Sequence, residues 1–265
     1  MRDVTREIAE LQVPDGALGI VWLAQAGFIF KTPAGRTAVV DPYLSDSVER
    51  LHGFKRVMAS PLSPAGMDVD LYVCTHEHAD HLDVDTVAAL APRPGITWAG
   101  TPSCQSIFDD LGVPPTRRLV LREGDRYDVA GLRLEAVYAD HGVLSPDPVG
   151  VILDVDGIRV YHMGDTSYHP EKLGSIRANG IDVIIPPING AFGNLTGQEA
   201  AWAARDVGAR VAIPCHFWMF VEHNGDPAAF LAAMGRDAPE VRPTPMTQGE
   251  IYTYVKRDHV ALHDP

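Results

Sequence analysis

Thr75-His76-Glu77-His78-Ala79-Asp80-His81-Leu82-Asp83 places three imidazoles and an interior carboxylate within six residues, directly after the largely apolar run Val69-Asp70-Leu71-Tyr72-Val73-Cys74. Neutral imidazole nitrogen and hard carboxylate oxygen are the donor mixture that suits zinc, manganese or iron in catalytic sites with a position left open for water. The apolar run predicts a buried strand, so His76 to His81 fall on the loop at its C-terminal end, where chemistry concentrates. In a tight loop His76 and His78 point to one side and Asp80 and His81 to the other. One short segment then serves two neighbouring metals, which a shared ligand holds about 4 Å apart in a known arrangement for hydrolysis. The alternative is a solvated polar loop, but four donors of these types rarely coincide at this spacing without metal.

One loop does not fill a mononuclear or dinuclear centre, and further donors recur at later strand ends. Leu132-Arg133-Leu134-Glu135-Ala136-Val137-Tyr138 runs into Ala139-Asp140-His141-Gly142. Ile158-Arg159-Val160-Tyr161-His162-Met163 runs into Gly164-Asp165-Thr166, and Val211-Ala212-Ile213-Pro214-Cys215 into His216. His141, Asp165 and His216 thus complete a two-metal set in the order His, Asp, His. His141 taken alone also reads as a plain surface histidine.

The H-x-H-x-D-H loop followed by a distant His, an Asp and a last His resembles the metallo-β-lactamase superfamily, over roughly Gly19 to Asp226. The resemblance implies a four-layer αββα sandwich. It places His76, His78 and His141 on one metal and Asp80, His81 and His216 on the other, with Asp165 between them. Val21-Trp22-Leu23-Ala24-Gln25-Ala26-Gly27-Phe28, Val40-Asp41-Pro42-Tyr43-Leu44, the Gly-Asp-Thr element and Pro187-Ile188-Asn189-Gly190-Ala191-Phe192-Gly193 resemble the branch that contains ascorbate-6-phosphate lactonase. That likeness implies two divalent cations, Zn2+ or Mn2+ ahead of iron, and hydrolysis of a lactone or related ester of a small, optionally phosphorylated metabolite. Asp80 and Asp165 are the catalytic candidates, Asp80 holding a metal and orienting the nucleophile at once. The resemblance also implies a homo-oligomer.

Other readings remain open at this point. They are a phosphodiesterase or transfer-RNA processing nuclease of the same superfamily, a non-catalytic metal-binding module, and redox chemistry at a di-iron centre, which in its own branch works beside a flavin domain. With 22 basic against 35 acidic residues the net charge is −13, which counts against nucleic acid as a partner, because such binding is driven by clustered Lys and Arg. The notable basic pairs are Lys55-Arg56 and Arg117-Arg118. A small-molecule substrate is the expected partner. No run reaches the ~20 apolar residues of a membrane span. Three cysteines, Cys74, Cys104 and Cys215, without paired spacing and without an apolar leader, fit the reducing cytoplasm.

A chain of 265 residues with 46% hydrophobic composition buries a large core, and residues 1–265 are read as one domain. Strands are expected at 19–24, 27–31, 36–40, 70–74 and 96–99, and again at 131–138, 149–154, 158–163, 182–186 and 210–214, with a last one at 250–255. Thr101-Pro102 opens a helix, Thr196-Gly197-Gln198-Glu199 is a capping box before another, and Asp226-Pro227 starts a third. Arg242-Pro243-Thr244-Pro245 reads as an extended surface connection. Asp41 ends a strand and resembles the family aspartate that braces the metal loop, although a turn role before Pro42 fits equally. Asp83 is a brace or the N-cap of a helix near Val84. Tyr168, His169, Asn189 and His223 are candidates for the mouth of the site, each equally readable as structural.

Overall fold

The computed structural model describes residues 3–256. After a short helix α1 (Val4–Glu10), the chain forms β1 (Ala17–Ala24), β2 (Gly27–Lys31), β3 (Thr37–Val40), α2 (Ser47–His52), β4 (Leu71–Cys74), α3 (Val84–Leu90), β5 (Thr97–Gly100), α4 (Pro102–Asp110) and β6 (Arg118–Val120). The second half runs β7 (Arg126–Val129), β8 (Leu132–Tyr138), β9 (Val149–Val155), β10 (Ile158–His162), α5 (Pro170–Arg177), β11 (Val183–Ile185), α6 (Gly197–Val207), β12 (Val211–Ala212), α7 (Pro227–Asp237), β13 (Arg242–Pro243) and β14 (Ile251–Val255). Two seven-stranded mixed sheets result, in the orders β14-β1-β2-β3-β4-β5-β6 and β13-β12-β11-β10-β9-β8-β7.

Period-two patterning explains how the first sheet lies between two cores. Leu18, Ile20 and Trp22 of β1, Phe28 and Phe30 of β2, and Leu71 and Val73 of β4 join Leu134, Val151 and Val160 of the second sheet in one cluster. The intervening residues Val21, Leu23, Ile29, Tyr72 and Cys74 pack instead with Val87 and Leu90 of α3 and Cys104 and Phe108 of α4. Helices α5, α6 and α7 cover the second sheet through Leu173, Ile176, Ala203 and Phe230. The layers are therefore helix, sheet, sheet, helix, the αββα sandwich expected.

Local signals position the helices as the sequence predicts. Thr196 and Glu199 form the reciprocal capping box of α6, and Gly208 ends that helix at φ 67°. Asp226 accepts from the amides of Ala228 and Ala229 at the start of α7. Three strands differ from expectation. β6 and β7 are short edge strands that carry arginines and no fully buried side chain, so each offers too short a pattern to read. Arg242-Pro243, expected as a connection, pairs in parallel with Val211-Ala212, where a proline is tolerated at the sheet edge. Among the described residues no helix is long and apolar enough to cross a membrane.

The topology decides where chemistry can sit. β3 and β4 are parallel, β1 runs with β3 through the antiparallel β2, and β8 runs with β10 through the antiparallel β9. The C-terminal ends of β1, β3, β4, β8, β10 and β12 all deliver loops to one end of the sandwich.

Candidate metal centre

β4 delivers its loop into a tight turn, in which the amides of His81 and Leu82 both donate to the His78 carbonyl, at 2.9 and 2.7 Å. His76 and His81 are fully buried. The ligand atoms of His76, His78 and His141 all lie within 4.8 Å of one another, and those of Asp80, His81 and His216 do likewise. Asp165 stands between the two triads. Its Oδ1 is 3.2 Å from His81 Nε2 and 3.3 Å from His216 Nε2, while its Oδ2 is 3.7 Å from His141 Nε2. His76, His81 and Asp165 form a third convergent group that spans both triads. All seven donors singled out in the sequence thus meet at the same end of the sandwich.

These donors fit resident cations on the chemistry of their unpaired atoms. His76 Nε2, His81 Nε2 and Asp165 Oδ1 are buried with no hydrogen-bond partner, and each orphaned buried polar atom costs about 1–3 kcal/mol unless something occupies it. Divalent cations of the borderline kind that imidazole nitrogen and carboxylate oxygen suit would satisfy them. The charge pattern agrees. Burial holds His76 well below, and His141 below, the ordinary imidazole range, which keeps both as neutral donors. Burial opposes ionisation of Asp165, but the imidazoles of His216 and His81 outweigh it and hold the carboxyl well below the usual range. The other triad differs: burial disfavours charge on His216 and His81, yet Asp165 and Asp80 override it, raising His216 to about 9 and His81 well above the ordinary range, so a cation bound there takes the place of a proton.

Asp41 sets the orientation of the loop. It is fully buried at the end of β3 and held at φ 47°. Its Oδ1 accepts from the Thr75 amide at 2.8 Å; its Oδ2 accepts from Thr75 Oγ1 at 2.6 Å and from His81 Nδ1 at 2.8 Å. Because Thr75 Oγ1 donates to Asp41, it accepts from His76 Nδ1, 3.1 Å away. Both rings therefore carry their proton on Nδ1 and present Nε2 inward. One carboxylate fixes the tautomer of a histidine in each triad, directly for His81 and through a hydroxyl for His76. His78 takes the opposite tautomer, donating from Nε2 to the Leu144 carbonyl at 2.9 Å and leaving Nδ1 free. Gly164 lets the Asp165 loop close against this arrangement: at φ 63°, a Cβ there would stand 3.1 Å from Thr75 Oγ1 and 3.0 Å from the Val149 carbonyl.

Gln25 carries a role that sequence reasoning left unassigned. The turn after β1 holds Ala24 at φ 82° and Gln25 at φ 51°, and the side chain is buried. Its Nε2 donates to Asp80 Oδ2 at 2.7 Å and lies 3.0 Å from His216 Nε2, while its carbonyl receives the His216 amide at 3.0 Å and Trp22 Nε1 at 3.0 Å. The motif around Gln25 was visible, but nothing local in it marks a glutamine that reaches two donors of one triad.

The remaining candidates separate. Asp83 caps α3 and gathers the amides of Leu44 and Ser45 and the hydroxyls of Ser45, Ser47 and Thr86, so it ties the segment after β3 to the metal loop. Asn189 and His223 line a cleft of about 190 Å³ that opens onto His78, Asp80, His141, Asp165 and His216. Tyr168 and His169, expected at the mouth, do not reach it. The chain turns away at Ser167, whose amide donates to the Asp140 carbonyl at 2.8 Å. Tyr168 donates its hydroxyl to Asp206 and packs on Trp202. His169 Nε2 lies 2.9 Å from Asp140 Oδ2, which braces the segment carrying His141.

Comparison with known proteins accords with this geometry. Residues 19–216 match the family model described as the beta-lactamase superfamily domain. UPF0173 metal-dependent hydrolases of Cupriavidus taiwanensis and Cupriavidus necator are 32% and 34% identical to the chain; the alignments cover 88% and 84% of it and 86% and 81% of the relatives. Among solved structures, the metallo hydrolase Igni18 from Ignicoccus hospitalis superposes with a TM-score of 0.71 at 22% identity, covering 91% of this chain and all of that one. The diiron β-hydroxylase CmlA from Streptomyces venezuelae shares the fold at a TM-score of 0.70 and 12% identity, over 92% of this chain and 55% of its own. The chain belongs to the metallo-β-lactamase superfamily, among the UPF0173 metal-dependent hydrolases.

Proposed function

We propose that the chain is a dinuclear hydrolase that opens a lactone or related ester of a small metabolite. Asp165 carries this reading, because it offers one carboxylate oxygen toward each histidine triad. His76, His78 and His141 would hold one divalent cation and Asp80, His81 and His216 the other, with Asp165 shared; Zn2+ and Mn2+ suit the donors. Bound there, the pair would acidify water and polarise a carbonyl oxygen. The protein's own part is orientation and charge. Burial works against ionisation of Asp80, but His81 and His216 hold its carboxyl far below the usual range, and Gln25 anchors one of its oxygens. The carboxylate is thus fixed as an acceptor that orients attacking water. In the overall reaction the water oxygen joins the carbonyl carbon and the ring C–O bond breaks. One proton passes to the leaving alkoxide and one is released from the new acid.

The sequence likeness to the lactonase branch favours the lactone over other esters. A nucleic-acid substrate is disfavoured by net charge and also by geometry. Arg56 is committed to the carbonyls of Met58 and Ser45, Arg117 to those of Arg93 and Ala91, and Arg118 to Val113 and Asp109. The test is to purify the protein without chelator, measure metal per chain, and assay lactones, thioesters and phosphodiesters beside Asp165→Ala. Near two metals, with lactone hydrolysis lost in the variant, is the expected result. Phosphodiesterase activity alone would favour the nuclease reading, and iron with oxygen consumption would favour redox chemistry. Absence of both bound metal and activity would refute the hydrolase.

A further inference from the structure

Away from the candidate ligands, the cleft is built from apolar side chains: Val48 at the start of α2, Phe54 just beyond it, Leu144, Phe192 and Phe220. Three of these form a connected collar. Phe54 lies 6.4 Å from Phe192 and 6.3 Å from Phe220, centroid to centroid. His223 closes the collar, with its ring 5.7 Å from Phe54, 5.2 Å from Phe192 and 5.0 Å from Phe220. Phe192 is half exposed and sits at the tip of a pinned loop. Asn189 bridges to Thr196 at the neck, and the Gly190 amide donates to the Leu195 carbonyl at 2.9 Å. At φ 53° between Gly190 and Gly193, a phenylalanine costs about 1–2 kcal/mol of backbone strain. Holding an aromatic ring in water on strained backbone gains nothing for the fold, which directs attention to what the ring meets in the cleft.

Besides the candidate ligands, the polar side chains on the wall are His52, Asn189, Asn194 and His223. Asn194 is nearly buried and neither its Oδ1 nor its Nδ2 has a partner, and Asn189 Oδ1 and His223 Nδ1 are also unpaired. Among the described residues no lysine or arginine lines the cleft. Arg56, the neighbour of the collar in sequence, lies over the Tyr43 ring with its Nε and Nη1 given to carbonyls. A phosphate carried away from the scissile bond would lose its hydration there without gaining a guanidinium or ammonium partner.

We propose that the cleft takes a small uncharged ester or lactone bearing an aromatic or branched aliphatic group. The group packs into the Phe54–Phe192–Phe220 collar, and phosphorylated forms are rejected. This substrate class rests on the hydrolase reading above. The volume agrees in scale: about 190 Å³ against the ~150 Å³ cavity that holds one benzene, so the cleft accepts one ring.

Three γ-butyrolactones that differ only in the γ-substituent test it on the metal-loaded protein: phenyl, methyl and phosphooxymethyl. The expected kcat/KM favours phenyl over methyl by about tenfold or more, the discrimination an apolar pocket supplies, with the phosphorylated lactone slowest. Phe192→Ala, at a half-exposed position that leaves folding intact, lowers the phenyl-to-methyl ratio by about fivefold or more through KM. Calorimetric titration with the three matching cyclopentanones, which cannot be hydrolysed, reads the same ranking without turnover. If no lactone is cleaved but the ketones rank phenyl first and Phe192→Ala abolishes the ranking, the lactonase reading fails and the substrate class stands. If the phosphorylated members equal or exceed the phenyl ones, or Phe192→Ala leaves the ratio unchanged, the substrate class is overturned while hydrolysis stands.

Discussion

Asp41→Asn isolates the contribution of one buried charge, because asparagine keeps the shape of the side chain and tolerates the left-handed φ of 47° better than most residues. The aspartate accepts three hydrogen bonds, from the Thr75 amide, the Thr75 hydroxyl and His81 Nδ1. An amide has one acceptor oxygen. In its better orientation that oxygen keeps Thr75 Oγ1 and His81, and the new NH2 faces the Thr75 amide, donor against donor. The unmade bond in a fully buried place costs about 1–3 kcal/mol. The larger effect falls on the centre. With the acceptor weakened, the Nδ1 protons of His81 and, through Thr75, His76 are no longer fixed, and losing such a partner weakens metal binding by about 10–100-fold, or about 1.4–2.8 kcal/mol. Chelator competition on the folded variant reads the affinity, and nitrogen-15 NMR of the imidazoles reads the tautomers. Wild-type affinity with both rings still protonated on Nδ1 would refute the assignment of Asp41 as the brace of both triads.

Gln25→Leu removes the contact to Asp80 and His216 without adding charge; one of the two cations is expected to bind about tenfold more weakly and the other as before. Equal weakening of both would refute a role confined to the Asp80–His81–His216 triad. His162 donates from Nε2 to the Ala26 carbonyl at 2.8 Å and accepts the Gly164 amide on Nδ1 at 3.2 Å, and burial holds it below the ordinary imidazole range. A depressed folded pKa means that its contribution is complete above the unfolded value near 6.5 and is lost as pH falls toward the folded one. Metal-free protein should therefore lose stability below about pH 6.5, by at most about 1.4 kcal/mol per pH unit for this group. His162→Gln should reduce that slope in urea unfolding at pH 7.5 and 5.5, and an identical slope would count against it. Tyr168→Phe, away from the cleft, should lower the melting temperature through lost contact with Asp206 and leave KM unchanged; a raised KM would return Tyr168 to the binding surface.

The metal loop was legible because its donors are adjacent in sequence and its strand is apolar on both faces. His141, Asp165 and His216 were legible through position alone, each just beyond a strand that the fold must point the same way. What stayed hidden depends on distances that no local pattern encodes. Gln25 reaches Asp80 across 55 positions and His216 across 191, on a turn whose left-handed backbone belongs to neither glycine nor asparagine. Tyr168 and His169 stand near Asp165 in sequence and apart from it in space, since the chain reverses at Ser167. Asp83 was left between two roles, and it performs the capping one while collecting hydroxyls from the segment after β3. The strands β6, β7 and β13 escaped because each is a sheet edge of only two to four residues, too short for a pattern to stand out.

β14 has a consequence for how the chain is made. β1 is buried along its whole length, and it is an interior strand only because Ile251–Val255 pairs beside it, from Ala17 against Val255 to Val21 against Ile251. A ribosome releases β1 more than 220 residues before its second neighbour. Until then an apolar strand edge has unpaired amides and carbonyls, the condition that invites pairing with other nascent chains. Closure by so distant a partner also raises the contact order and slows the final step. Vectorial synthesis therefore leaves the oldest strand of the sandwich waiting for the youngest, and fusions or truncations near residue 251 should act first on the yield of folded protein.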